Sequence, residues 1–261
     1  MNQSMRRVIA GVAVLVALGA VAAPAPAQTA EVKEKPRMYT YESWWVIPRA
    51  RWGDVDKDNA GSNQKILAPA LADGTLLGYG DDESLVHTAE GPTHDNWWQA
   101  RSVAALMKVL DAFYKSGSAT SGVPLTSTKH WDGMYVSRFY NWKAGSWKGA
   151  YGRAASYKLK ADAPDNAVAT LSKSVFVPLF EKLLADGAIV EYEIDEEIIH
   201  TESPDTFFVY YLAPSADGLD KVNDAIREAV KSNALISPAF GSMVDFTPHR
   251  DQLLRANATY K

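Results

Sequence analysis

One stretch of eighteen residues occurs twice in this chain. LADGTLLGYGDDESLVHT at 71–88 returns as LADGAIVEYEIDEEIIHT at 184–201, without a gap and 113 positions later, and nine positions are identical. At the same offset, LMKVLDAF at 106–113 matches LDKVNDAI at 219–226 in five positions. Two blocks at one constant spacing indicate a duplicated folding unit, because self-similarity at a fixed period is the signature of a repeated architecture.

The hydrophobic spacing of the second copy predicts its secondary structure. Apolar residues recur every three or four positions over 165–187, which is typical of a helix, and Pro178 predicts a bend in it. The segments 188–200 and 206–213 alternate or are rich in β-branched and aromatic residues, so they predict two strands. Helical spacing then returns over 218–230.

A strand is expected before the first helix of each copy. RAASYKLK at 153–160 fills this place in the second copy, and YESWWVIP at 41–48 fills it in the first. Each unit therefore has the order strand, helix, strand, strand, helix. Helices cover one face of such a sheet and leave the other open, so two units in one chain can cover each other's open face.

This order of elements resembles the ferredoxin-like units of the dimeric α/β-barrel superfamily, in the tandem form in which one chain carries both halves. The resemblance covers roughly residues 38–117 and 151–232. It implies an α+β fold in which two tandem βαββα repeats pack sheet to sheet as a pseudo-dimeric α/β barrel. The superfamily includes cofactor-independent monooxygenases, lactone isomerases, stress-response barrel proteins and haem-binding chlorite dismutase-like enzymes, so the fold does not transmit one function.

The start of the chain predicts export. Arg6 and Arg7 precede an apolar run at 8–23, which ends in Ala-Pro-Ala at 25–27. This is the pattern of a secretory signal peptide, so we expect residues 1–27 to be removed after Ala27 and the protein to be periplasmic or secreted. The polar segment that follows, 28–37, is predicted to be a disordered linker.

Two further segments lie outside the repeats. The segment 118–150 is predicted to be an insertion that carries an extra strand at MYVSRFYNW, followed by a flexible Gly- and Ser-rich tip. The segment 233–261 is predicted to be a C-terminal extension with a short helix, with Thr247 as its cap and Pro248 at its first position.

Composition excludes several classes of function. The chain has 27 basic and 31 acidic residues, and removal of residues 1–27 takes away two arginines, which changes the net charge from −4 to −6. An acidic chain without a Lys/Arg cluster is not expected to bind nucleic acid, and no membrane contact is expected after signal cleavage. The absence of cysteine excludes disulfides, thiolate metal sites and a cysteine nucleophile.

The repeated His-Thr pair is the first candidate for chemistry. By strand alternation, His87 and His200 share the parity of the apolar residues that face the helices. This favours a structural role at the end of a strand for both. The alternative, for His200, is a haem ligand or an acid/base group.

The positions that alternate with these apolar residues are more informative. They include Glu191 and Glu193, which lie on the face away from the helices, and the first copy has Gly78 and Gly80 at the same places. A cleft with carboxylates on one side and space on the other is suited to a cationic or hydroxylated ligand, or to a base with a raised pKa. The alternative is a solvated strand face with salt bridges to the basic residues of 153–160, which would contribute little to stability.

Aromatic residues are dense on the predicted strands. The two members of Trp97-Trp98 must point to opposite faces, so one can line a cleft while the other packs under a helix; in the alternative both lie in the core. The ligand-lining candidates are Trp98, Arg138, Tyr140, Glu191 and Glu193.

No metal site is predicted. The segment 54–65 has acidic residues at the first, third and fifth places of a calcium loop, but Asn59 replaces its glycine and Lys65 its bidentate glutamate. We therefore interpret it as a polar loop that caps the first helix.

Two hypotheses of function follow. The first is an exported protein, monomer or homodimer, that binds a small organic molecule between its halves and needs no cofactor. The second is an enzyme of the dimeric α/β-barrel kind: an oxygenase or isomerase with Glu191 or Glu193 as base, or a haem protein that uses His200. The sequence assigns no catalytic residue.

Overall fold

The computed structural model describes residues 31–89, 91–120, 122–199 and 204–261, and Val32–Lys261 forms one compact unit. Within these ranges the strands are Met38–Val46 (β1), Gly78–Ser84 (β2), His94–Ala100 (β3), Lys129–Trp142 (β4), Ser146–Trp147 (β5), Tyr151–Leu159 (β6), Glu191–Glu197 (β7), Thr206–Ala213 (β8) and Val244–Tyr260 (β9). The α-helices are Trp52–Ser62 (α1), Ala68–Ala72 (α2), Val103–Ser116 (α3), Ala167–Leu171 (α4), Val177–Ala185 (α5), Ala216–Ser232 (α6) and Ile236–Met243 (α7).

Eight of these strands form a closed antiparallel barrel. Their order around the ring is β2-β3-β1-β4-β7-β8-β6-β9, and pairing of β9 with β2 closes it. The short β5 adds to β9 outside the ring. The fold is thus α+β, with helices packed around an antiparallel barrel. Residues 38–142 and 151–260 supply four adjacent strands each, so the two sets meet by hydrogen bonds at their edges and enclose an interior between their faces.

Two apolar clusters hold the helices against the outside of the barrel. On the first set of strands, Leu106, Val109 and Phe113 of α3 are buried against the sheet. Ser102 caps this helix by accepting a hydrogen bond from the Ala105 N–H at 3.2 Å, and Gly117 ends it with φ +76°. The second cluster packs α4, α5 and α6 against β7 and β8.

The helix predicted over 165–187 forms with an irregularity. A π-helical segment, Ser172–Phe176, separates α4 from α5 directly before Pro178. A similar segment, Asn63–Leu67, lies between α1 and α2 in the first half. The helical ladder is therefore widened in the turn that precedes the proline from which the bend was predicted.

The polar segment 54–65 was predicted to be a loop, and this is wrong, because it is helical through α1 and the π segment. The helix is held by packing rather than by propensity: Val55 is buried against Ile47, and the Trp52 indole donates to the Ile47 carbonyl at 2.9 Å. Such tertiary contacts override a sequence that is poor in helix-forming residues.

The short helix predicted from Thr247 and Pro248 is also wrong. These residues belong to β9, the strand that closes the barrel. Pro248 lies where the β6–β9 register shifts, between the partners of Ser156 and Lys158, so its missing N–H removes no ladder hydrogen bond. The helix of this extension is α7, which precedes the strand.

The described part of the predicted linker, from residue 31, has specific contacts. The Lys35 N–H donates to the Arg138 carbonyl at 2.8 Å, and the Pro36 carbonyl accepts from Tyr140 Oη at 2.7 Å. Residues 35 and 36 are thus bonded to β4 rather than free. The predicted signal peptide lies outside the described residues, and no helix among those described is long and apolar enough to cross a membrane.

Candidate functional site

The interior face of the barrel is fixed by strand register. Residues that pair directly across an antiparallel ladder point to the same face. Trp97 pairs with Gly80 on one side and Glu42 on the other, and Glu193 pairs with Tyr140 and Tyr210. All of these therefore face the inside.

Seven carboxylic acids share this interior face, although a barrel interior is usually apolar. Five of them are buried, and the other two, Glu42 and Glu197, are partly exposed. The seven are Glu42, Asp82, Asp95, Glu191, Glu193, Asp195 and Glu197. Because isolated charges are costly to bury, such a cluster must be neutralised by protons, cations or hydrogen-bond donors.

One buried ammonium group, that of Lys261, provides part of this neutralisation. Lys261 Nζ forms ion pairs with Glu191 and, at 3.0 Å, with Glu193, and it donates to the side-chain oxygen of Gln99. It also lies 4.8 Å from the centre of the Trp97 ring and 4.9 Å from that of Trp142. Two carboxylates, one amide and two aromatic faces thus surround a single cation.

The glycines of the first half make room for this arrangement. A Cβ atom at Gly78 would lie 2.6 Å from Lys261 Cδ, and one at Gly80 would lie 2.6 Å from both the Trp97 ring and the Ala258 carbonyl oxygen. The space opposite the carboxylates, predicted from the Gly/Glu difference between the repeats, is therefore filled by Trp97 and the side chain of Lys261.

The pKa values of the two carboxyl groups that contact Lys261 are shifted in opposite directions, although Lys261 lowers both. Burial alone would raise the pKa of Glu193, but Lys261 and a hydrogen bond from Gln99 hold it below its usual range. Gln99 Nε2 lies 2.6 and 2.7 Å from the two oxygens of that carboxylate. Burial raises the pKa of Glu191 well above its usual range, and the charge on Glu193 adds to this. The pair therefore tends to hold one proton.

The carboxyl groups further from Lys261 have raised pKa values. Burial raises the pKa of Asp82 to about 7, against the effect of a 3.0 Å hydrogen bond from the Trp97 indole. Burial, and then the neighbouring Asp82 and Glu42, raises the pKa of Asp95 well above its usual range. Asp195 accepts a hydrogen bond from Ser137, but burial and Glu193 still raise its pKa.

A cavity of about 120 Å³ lies among these groups. Several polar atoms that are buried around it have no hydrogen-bond partner: Thr40 Oγ1, Asp82 Oδ1, both Glu191 oxygens and Tyr210 Oη. Glu191 thus meets Lys261 as a charge pair without a well-aligned hydrogen bond. Aromatic rings of Trp44, Trp97 and Phe208 form much of the remaining wall.

Three of the five ligand-lining residues predicted from the sequence face the interior, namely Tyr140, Glu191 and Glu193. Glu191 and Glu193 line the cavity, whereas Tyr140 lies next to it on the same face of β4. The Tyr140 hydroxyl donates to the Pro36 carbonyl and accepts from Arg101 at 2.5 Å, so it contacts the N-terminal segment.

The other two predicted lining residues lie on the outer face. Trp98 stacks on Tyr41 at 4.5 Å and on Phe113 of α3 at 5.3 Å, so it belongs to the helix-facing core. Arg138 forms ion pairs with Glu196 at 2.5 Å and Glu34 at 3.4 Å. Trp97, one position earlier than the predicted Trp98, is the tryptophan that lines this interior cavity.

Of the two repeated histidines, His87 lies within the described residues. His87 is exposed beyond the end of β2, where its ring lies 5.1 Å from that of Trp52. His200 lies outside the described residues, so its predicted role stays a prediction. No histidine of the described residues lines the 120 Å³ cavity, so the residues present there do not fit haem.

A second, larger cavity of about 320 Å³ lies outside the barrel, between α1 and the strands β1, β3 and β4. Asp132 is its polar centre: Ser43 Oγ donates to it at 2.5 Å, and His130 Nε2 lies 3.1 Å from it. Burial would raise the pKa of Asp132, but these contacts lower it, while burial and Asp132 together raise the pKa of Tyr41. Trp98 also lines this cavity.

Metal binding has no support in the described part of the chain. No group of three or more His, Cys, Asp or Glu side chains there is arranged to hold a metal ion. The carboxylates of the barrel therefore share one face, but they do not converge on one point as the ligands of a metal ion do.

Comparison with known proteins identifies the fold. No protein-family model matches the chain, and no curated protein matches its sequence. Among solved structures, a monooxygenase-like protein from Lactobacillus acidophilus superposes with a TM-score of 0.60 at 12% identity, covering 87% of this chain and 97% of its own. A second, from Fusobacterium nucleatum, gives 0.60 at 6% identity over 86% and 94%.

An anthrone oxidase-like protein gives a TM-score of 0.55 at 10% identity, covering 87% of this chain and 94% of that one. The chain thus has the fold of these solved structures, and its resemblance to the dimeric α/β-barrel superfamily is one of fold. At these identities the likeness establishes the fold alone.

Proposed function

We propose that this protein is exported and binds a small polar molecule inside its barrel. The observation that carries the proposal is the cavity in which Thr40, Asp82 and Tyr210 present polar atoms without a hydrogen-bond partner. Buried polar groups are nearly always paired, and each unpaired one costs about 1–3 kcal/mol. A bound molecule that pairs several of them would recover this free energy.

The arrangement of the halves supports the same proposal. We infer that the two sets of four strands derive from a duplicated βαββα unit, since the repeats share one offset in sequence. The two sets also have the same order of equivalent strands, which is β2-β3-β1-β4 in the first set and β7-β8-β6-β9 in the second. Because one chain completes the ring, a monomer already encloses the cavity. Light scattering after size exclusion would distinguish the monomer from a homodimer.

A thermal-shift screen of polar metabolites tests the binding proposal. Thr40→Val is the most specific variant, because it removes an unpartnered hydroxyl and keeps the shape of the side chain. We expect hits to raise the melting temperature of the parent and to bind the variant more weakly. Hits that bind Thr40→Val and Asp82→Asn as well as the parent would place the site elsewhere.

Export is a separate part of the proposal. It is supported by the basic start, the apolar run at 8–23 and Ala-Pro-Ala at 25–27. Intact-mass measurement of protein recovered from the cell envelope or medium of the native host tests it. We expect a chain that begins at Gln28, whereas recovery of the uncleaved chain in the cytoplasm would contradict export.

A second candidate function is catalysis in the cavity beneath α1. It is favoured by the contacts of Asp132 with Ser43 and His130 beside Tyr41, because an ionised carboxylate can orient a hydroxyl group and an imidazole that exchange protons with a bound molecule. Its volume of about 320 Å³ lies within the usual range of ligand sites.

Oxygen uptake with anthrone as the probe tests this second candidate, since one structural neighbour is named for that reaction. Turnover that Asp132→Asn abolishes and Asp82→Asn leaves intact would assign the activity to the outer cavity. No uptake with the parent protein would leave the barrel interior as the proposed site.

A further inference from the structure

Lys261 shows which chemistry the barrel interior accommodates. Its side chain is fully buried, and its ammonium group is neutralised by Glu191 and Glu193 between the rings of Trp97 and Trp142. An ammonium group offers three donors and no acceptor. The interior therefore stabilises a donor-only cation with carboxylates and aromatic faces, at full burial.

The remaining cavity continues this pattern on the side away from Lys261. Its unpartnered atoms include Asp82 Oδ1 and the hydroxyl groups of Thr40 and Tyr210. Thr40 is 6% exposed and Asp82 is 2% exposed, so water outside the protein does not pair them. All three can accept hydrogen bonds, and Glu42 and Asp195 line the same space.

The count of ionisable groups points in the same direction. Seven carboxylic acids face the interior, whereas Lys261 is the ammonium group that contacts them within the described residues. Arg250 lines the cavity as well, but its guanidinium donates to the His249 carbonyl at 2.7 Å and the residue is exposed. The interior therefore has more acidic groups than cations.

Size and geometry restrict the class of cation. A volume of about 120 Å³ corresponds to about four water-sized groups, which is the number of non-hydrogen atoms in n-propylammonium. The rings of Trp44 and Phe208 suit a short alkyl chain. A metal ion is disfavoured, because no set of side chains in the described residues is arranged to coordinate one.

We propose that the ligand of the barrel is a small organic cation, a short primary alkylammonium, whose nitrogen donates to Asp82, Thr40 and Tyr210 while Lys261 stays in place. This inference rests on the proposed function and names its ligand class. An ion pair between the cation and Asp82 requires that carboxyl group to be ionised, so binding below about pH 7 releases a proton.

Isothermal titration calorimetry with n-propylammonium chloride tests the proposal, with n-propanol and propionate as neutral and anionic probes of similar size. We expect n-propylammonium to bind at least about tenfold more tightly than n-propanol, because charge-assisted hydrogen bonds are the stronger ones. Repeating the titration in two buffers of different ionisation enthalpy should show proton release.

Variants locate the bound cation. Asp82→Asn should weaken n-propylammonium binding about tenfold or more, and Thr40→Val should weaken it as a second, nearly isosteric change. Glu83→Gln is the matched control, since Glu83 follows Asp82 on β2 but points to the other face, and it should bind like the parent.

Three results would overturn the inference. Equal or tighter binding of n-propanol would show a site for neutral polar molecules, and the proposed function would stand without a cation. Competition by Mg²⁺ at similar concentration would show an inorganic cation site. Failure of all three probes and of the metabolite screen would remove the proposed function as well.

Discussion

Asp82→Asn is the substitution whose effect on stability the structure defines best. Asp82 is 2% exposed, its Oδ2 atom accepts from the Trp97 indole at 3.0 Å, and Asp95 pairs with it directly across the β2–β3 ladder. Asparagine has the same size, retains an acceptor for Trp97 and gives Asp95 an amide donor. The change therefore removes the titrating group and keeps the packing.

The sign and size of the effect follow from the pKa of Asp82, which burial and the charge on Asp81 raise to about 7 against the opposing contacts with Trp97 and Asp95. An aspartate in the unfolded chain titrates near 4, so between about pH 4 and pH 7 the folded protein keeps a proton that the unfolded chain has lost. The free energy of unfolding must therefore fall as pH rises through this window, by about 1.4 kcal/mol per unit and about 4 kcal/mol in total. Above pH 7 both states are ionised and the loss is constant.

Urea unfolding at pH 5 and pH 8 measures this difference. Asparagine does not titrate, so the free energy of unfolding of the variant relative to that of the parent should rise by about 3 kcal/mol from pH 5 to pH 8. Most of this rise should occur below pH 7. The control Glu83→Gln should keep the pH dependence of the parent. Unfolding curves of Asp82→Asn that shift with pH as much as those of the parent would refute the argument that Asp82 is buried without a cation.

Three further substitutions test the packing and charge of the barrel by urea unfolding. Gly80→Ala should lower the free energy of unfolding by about 1–3 kcal/mol, because its Cβ would lie 2.6 Å from the Trp97 ring. The control Gly53→Ala, whose Cβ would have nothing within 4 Å, should not lower it, and equal effects of the two changes would contradict the close contact. Trp98→Ala should lower the free energy of unfolding by about 3–5 kcal/mol and leave the affinity for the ligand of the barrel unchanged. A loss of affinity without a loss of stability would show that Trp98 contributes to the binding site. Lys261→Met should lower the free energy of unfolding by about 3–5 kcal/mol at pH 8, because its carboxylate partners lose their cation, and by less at pH 5. An unchanged free energy of unfolding would show that the ion pairs do not form.

The parity of the second repeat was predictable from the sequence, and with it two residues of the site. Alternation separates Tyr192 and Ile194, which pack under the helices, from Glu191 and Glu193, which line the cavity. Alternation remains informative in a strand that is buried on both faces, because successive side chains still point to opposite faces. The Gly/Glu difference between the copies indicated a space opposite the carboxylates, but the sequence did not show that Trp97 and the Lys261 side chain fill it.

Other features depend on contacts that a local pattern does not contain. Trp97 and Trp98 are both large and apolar, and only the register with Gly80 decides which one fits the interior. Lys261 reaches its partners because β9 closes the ring between β2 and β6, a pairing between segments far apart in sequence. The helix α1 has weak propensity and forms because Val55 packs against Ile47.

A crystal structure of the protein equilibrated with n-propylammonium tests the central claim most directly, namely that the closed barrel encloses an acidic cavity that accepts a cation. We predict a ring of eight strands closed by β9, with the amine nitrogen within hydrogen-bonding distance of Asp82 and Thr40 and with Lys261 still between Trp97 and Trp142. A barrel interior in which side chains fill the cavity, or amine density that lies only outside the ring, would contradict the account.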